Sequence, residues 1–173
     1  MAENAILKGN IHMRKQLSNM LIAAGLLAGA LSAACAAEAG KIVFVTGQVR
    51  VADHAAALDG TVREGDELRT GADGYIYVKT VDQGFLVLRP SSKARIVTYH
   101  IDDKNPANTR VKLELLNGVA RSISGTGVKQ ARQNFRFNTP VAAIGVRGTD
   151  FVVYTDDKTS RVTVVSGGVV VSG

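Results

Sequence analysis

The sequence predicts an all-β fold: a single compact domain of roughly ten to twelve short strands, arranged as a β-solenoid-like roll or a sandwich. Three observations predict it. From Glu38 onward there are 22 Val, 6 Ile and 12 Thr against 7 Leu and no Met, and stiff β-branched side chains suit a pleated surface better than a helix. Apolar and charged residues alternate in Arg110-Val111-Lys112-Leu113-Glu114-Leu115, the period of a strand with one covered face. Turn residues recur at short intervals, at Asp59-Gly60, Glu64-Gly65-Asp66, Thr70 to Gly74, Asp82-Gln83-Gly84, Asn117-Gly118 and Gly167-Gly168, and they tolerate the positive φ of tight turns.

The first 37 of the 173 residues are set apart from this pattern. Arg14 and Lys15 precede an uncharged run from Gln16 to Ala37 whose most apolar part is Leu21 to Leu31. A basic region, a short apolar core and the small-residue exit Ala34-Cys35-Ala36 spell a secretory signal peptide, cut after Ala36 or Ala37. Met1 and Met13 both fit as its start. An uncleaved anchor calls for about 20 strongly apolar residues, whereas this run is rich in Ala and Gly and includes Ser18 and Asn19. A lipid anchor at Cys35 calls for a large aliphatic residue where Ser32 stands. The expected organisation is a signal peptide over 1–37 and an exported domain over 38–173, periplasmic or secreted, with no transmembrane segment after cleavage. The ending Val171-Ser172-Gly173 lacks a polar tail, as a truncated or split product does.

The exported part keeps 18 basic and 14 acidic side chains, a net charge of +4, which speaks to solubility more than to a partner. The single cysteine, Cys35, leaves with the signal, so the domain rests on its core without disulfides. Along it, Ala94 to Tyr99 alternates weakly, as a strand covered on both faces does. Asp102 to Asn108 and Gly125 to Asn134 read as polar loops, and His54 to Leu58 as one helical turn at most. Gly-Val echoes at Gly47, Gly118 and Gly168 hint at stacked similar turns.

Chemistry-bearing patterns are sparse. His54 and His100 are the only histidines of the exported part, so no zinc spacing forms. Ser122-Ile123-Ser124-Gly125 is no nucleophile elbow, and Gly125-Thr126-Gly127 is no phosphate loop. Glu64, Asp66 and Glu67 read as solvated acids around a turn, because the spacing of a calcium loop is missing. We therefore expect no catalytic, cofactor or metal residues and no enzyme. The stretch Arg110 to Arg136 carries six cations against Glu114 alone. Arg121, Arg132 and Arg136 form the expected basic binding face, for an envelope protein or an envelope polysaccharide. The plainer reading is that such charges only keep strand edges from pairing. Nucleic acid is disfavoured by export and by the scarcity of aromatics for stacking. A sugar would have Tyr75, Tyr77 and Tyr99 as its stacking candidates, with no Trp.

The most specific stretch is Phe137 to Phe151. Pro140 holds Thr139 extended. Ala142, Ala143 and Gly145 are small enough for close backbone approach, and Gly145 and Gly148 bracket Val146-Arg147 in a tight turn before a strand opening at Asp150 and Phe151. Thr149 and Asp150 can bond the freed backbone of that turn. The expected role of Arg147 is structural, its guanidinium held by backbone carbonyls or an acid.

This run, with its Thr139-Pro140 and Gly145-Val146-Arg147-Gly148-Thr149, resembles the signature of the FecR-like domain family. Gly65-Asp66 with Thr70-Gly71, and Gly84 to Ser92 with its Pro90-Ser91 turn, resemble further segments of that family in the same order, so the resemblance covers about 42–172. It implies an all-β, solenoid-like periplasmic domain that binds proteins or envelope components. In the family's best-understood members it implies a regulator relaying a signal from an outer-membrane transporter to a sigma factor. Only 13 residues precede the basic pair here, or one if Met13 is the start, so the cytoplasmic anti-sigma segment of that layout is not expected. The resemblance carries over no catalytic residue.

Overall fold

The structure, a computed structural model, describes residues 36–173. The signal peptide expected over 1–37, with Arg14, Lys15 and Cys35, therefore lies outside the described residues except for Ala36 and Ala37. Fourteen strands follow: β1 (Glu38–Thr46), β2 (Val49–Val51), β3 (His54–Ala55), β4 (Thr61–Arg63), β5 (Glu67–Thr70), β6 (Tyr75–Thr80), β7 (Phe85–Leu88), β8 (Lys93–His100), β9 (Arg110–Ile123), β10 (Phe135–Asn138), β11 (Ala143–Val146), β12 (Asp150–Thr155), β13 (Ser160–Ser166) and β14 (Val169–Ser172). The all-β prediction holds, with more strands than the turn signals counted.

The alternation at Arg110–Leu115 opens the longest strand, β9, which belongs to two ladders. Its first half lies between β8, antiparallel, and β10, parallel. Its second half lies between β7 and β12, both antiparallel. The bend between the halves falls at Gly118, whose φ of +93° suits glycine. There the Ser92 hydroxyl accepts from the Val119 N–H at 2.9 Å. One ladder runs β4-β1-β6-β7-β9-β12-β13 and the other β3-β2-β5-β8-β9-β10-β11-β14. Together they form one curled sheet, a half-barrel around a shared core. Ile42, Ile76, Leu88 and Phe151 fill it from one half, and Leu68, Leu113, Phe137 and Ile144 from the other.

Several local expectations are corrected. The Gly-Val echoes are not equivalent turns: Gly47 sits between β1 and β2, Gly118 inside β9, and Gly168 just before β14. The weak alternation of β8 comes from a register shift between Ile96 and Thr98. That bulge lets Ile96 and Tyr99 both point inward while Arg95 stays exposed. The stretch Gly125 to Asn134 is not plain loop; it holds a short helix α1 (Thr126–Gln130) and a 3-10 turn (Arg132–Asn134). A second 3-10 turn spans Pro106–Asn108. No helix among the described residues is long and apolar enough to cross a membrane.

Candidate functional site

Strand parity builds the corner from Phe135 to Phe151. Phe135 and Phe137 of β10 and Ile144 and Val146 of β11 point into the core, so Arg136, Ala143 and Gly145 face outward. The turn between them is closed by Thr139, whose N–H donates to Ala142 O at 2.8 Å and whose Oγ1 accepts from Ala142 N at 3.0 Å. Beyond β11 the chain turns through Gly148 at φ +68°. Thr149 pins that turn: its hydroxyl donates to Gly168 O at 2.6 Å, and its N–H donates to Ser124 Oγ at 3.1 Å. Phe151 then packs edge-on against Phe137, with ring centroids 5.4 Å apart.

Arg147 departs from its expected role. Its backbone N–H is held by Gly168 O at 3.0 Å, but its side chain is exposed. Among the described residues its guanidinium enters no hydrogen bond and no ion pair. The cause is parity: Val146 points inward, so its neighbour points to solvent. Gly145 also differs from expectation. A Cβ there would meet nothing nearer than Val170 O at 3.8 Å, so this glycine leaves open space instead of permitting a close approach.

That space is the floor of a groove of about 560 Å³, lined by Arg132, Arg136, Arg147, Gly145, Val170 and Ser172 among others. Arg136, Gly145 and Val170 are cross-strand neighbours in one row. Arg132 Nε donates to Lys129 O at 3.1 Å, and Arg136 Nη1 donates to Gln133 O and Phe135 O at 2.8 and 2.9 Å. These bonds orient two guanidinium groups and leave most of their five N–H donors free. Among the described residues no carboxylate lines the groove.

The structure thus splits the expected basic face. Arg132 and Arg136 converge, joined by Arg147, while Arg121 lies on the other ladder. There it grips Asp150 through Nε at 2.8 Å and Nη2 at 2.6 Å. These bonds hold the Asp150 carboxyl below the usual carboxylate range, against a smaller effect of burial. Asp150 therefore serves Arg121 instead of the turn it follows. Lys112 pairs with Glu114 at 3.4 Å, and Arg110 caps the carbonyl of Ala107 at 2.6 Å.

The remaining candidates scatter. Tyr75 and Tyr77 form a surface cluster with Phe44, which is 46% exposed, at centroid distances of 5.5 to 6.5 Å; Tyr99 is buried. Glu67 is held by Arg69, Arg95 and Lys93, Asp66 accepts from Arg63 N at 2.7 Å, and Glu64 accepts from Tyr99 N at 3.3 Å. These three acids therefore do not converge on a cation. Among the described residues no cluster of three His, Cys, Asp or Glu gathers at metal-binding range.

A buried carboxylate, Asp82, escaped sequence reasoning. Its Oδ1 accepts from Thr80 Oγ1 at 2.7 Å and from Tyr99 at 2.8 Å, and its Oδ2 accepts from Val128 N at 3.2 Å. Asp82 thereby ties the β6–β7 turn to the helix that carries the Arg132 side of the groove. An Asp-Gln-Gly turn signal points to solvent, so only the pairing across the fold reveals this role.

A family model described as FecR protein matches residues 66–170, more than half of the chain, and takes in every groove-lining residue except Ser172. No curated protein and no solved structure matches it.

Proposed function

The chain belongs to the FecR family, and from that premise we propose an exported, non-enzymatic module that binds a partner protein at the cell envelope and takes part in signalling. The family is a regulatory, signalling one, which supports the reading. One observation carries the choice of surface: Arg132, Arg136 and Arg147 surround one groove, and among the described residues no carboxylate lines it. Like charges gathered without counter-ions repel one another, so an acidic partner relieves the repulsion and is steered to this face.

The reading is tested by pull-down from envelope extract with the tagged chain, at low and moderate salt. One protein captured by the wild type at moderate salt, and lost with Arg147→Glu, is the expected result. Capture indifferent to Arg147→Glu would move the docking surface elsewhere. A second reading, binding of peptidoglycan or exopolysaccharide, is favoured by the surface cluster of Phe44, Tyr75 and Tyr77. It predicts co-sedimentation with purified envelope polymer that Tyr77→Ala weakens. Export itself is checked by N-terminal sequencing of the protein from the periplasmic fraction, with Ala37 or Glu38 expected first.

A further inference from the structure

We propose that the groove reads an extended acidic peptide of the partner, with carboxylates at alternate positions. This rests on the reading that the groove is the docking surface, and adds what it recognises.

Three features of the groove lead there. Arg136 stands opposite Gly145 in the ladder. Arg147 lies two residues farther along the same strand direction, its N–H still bonded to Gly168 O. Two residues of a strand span about 6.6 Å, which is also the spacing of side chains i and i+2 on one face of an extended peptide. A peptide laid along β11 over the Gly145 floor therefore brings one carboxylate to Arg136 and the next but one to Arg147. Arg132 flanks that second position, since its Nε lies 3.7 Å from where a Cβ of Gly148 would sit.

The chemistry matches the geometry. Guanidinium groups present paired N–H donors to a carboxylate, and two of the three are already oriented by backbone carbonyls, which lowers the ordering cost. A groove of about 560 Å³ lies within the range of about 300–1,000 Å³ that takes a ligand or a short segment. The selectivity follows from strand geometry, because acids at i and i+3 of an extended chain face opposite sides and cannot both reach the floor.

The test uses the full chain and fluorescent synthetic peptides in a Ser/Thr background. One carries Glu at i and i+2, one carries Glu at i and i+3, and one carries Gln at i and i+2. Anisotropy at about 0.15 M salt is expected to rank the first above the second by fivefold or more, with the Gln peptide silent. Arg147→Gln and Arg136→Gln are each expected to weaken the first peptide about tenfold. Gly145→Val keeps every arginine and fills the floor, and should weaken it as much, with a melting curve to confirm folding. Equal binding of the two acidic peptides, or binding indifferent to Gly145→Val, overturns the proposal. Binding of a polyuronate with no peptide bound also overturns it, in favour of a polysaccharide. If no peptide binds while capture of the envelope protein still depends on Arg147, the inference falls and the docking surface stands.

Discussion

The Tyr99 hydroxyl donates to Asp82 Oδ1 at 2.8 Å in the interior, joining the bulged end of β8 to the turn between β6 and β7. Burial, and then the Asp82 charge, push the Tyr99 phenol well above its usual range. A phenol raised in the folded state stabilises below its unfolded pKa of about 10 and loses that contribution as pH climbs toward the folded value. Tyr99→Phe should cost about 1–3 kcal/mol at neutral pH by leaving a buried acceptor short of one donor. It should also flatten the alkaline fall in stability, which urea melts above pH 10 would register. An unchanged melt at neutral pH would mean that the hydroxyl contributes nothing there.

Arg121 and Asp150 set the acid side. Asp150 has a folded pKa below its unfolded one, so the pair stabilises above the unfolded value and loses this as pH falls through the folded value. Arg121 is 45% exposed, so solvent screening limits the contribution to about 0.5–1 kcal/mol. Asp150→Asn should remove that amount at pH 7 and much less at pH 2, and high salt should narrow the difference. A loss independent of pH would point to packing instead.

Arg147→Ala is expected to leave stability within about 0.5 kcal/mol, as for other exposed side chains without partners. The same change should abolish partner capture. A drop of several degrees in melting temperature would restore the structural role that the sequence pattern suggested.

Gly125→Ala tests the tie beneath the groove. A Cβ there would run into the Asp82 carboxyl and carbonyl, so a cost of about 1–3 kcal/mol is expected from overpacking. Because the same segment carries Arg132, peptide affinity should fall with it. Gly65→Ala meets no atom within 4 Å, yet its φ of +89° predicts a smaller loss of about 1 kcal/mol from backbone strain alone. Equal losses at the two positions would argue against the steric account.

What the sequence revealed depended on how local each cause is. Alternation at Val111, Leu113 and Leu115 reports burial directly, and all three are buried. Gly148 and Thr149 announced their turn because positive φ and hydroxyl bonding are properties of neighbouring residues. The partners of Arg147 are not legible in the sequence, because they depend on strand parity and the glycines around it conceal that parity. Arg121 stands near Arg132 and Arg136 in the chain, yet the bend at Gly118 sends its half of β9 into the other ladder. Asp82 stayed hidden because its partners, Tyr99 and Val128, lie 17 and 46 residues away.

Since β9 is common to both ladders, neither can be laid down correctly without the other. A slip of one residue along β9 would turn Val111, Leu113 and Leu115 to water, and Ala120 and Ser122 with them. Gly118 and the Ser92 hydroxyl act as a registration mark that admits one alignment. The molecule should accordingly unfold in a single step, with amide exchange in β6 and in β10 reporting the same opening free energy. Its many distant strand pairings should make folding slow, on the millisecond-to-second scale of β-rich domains.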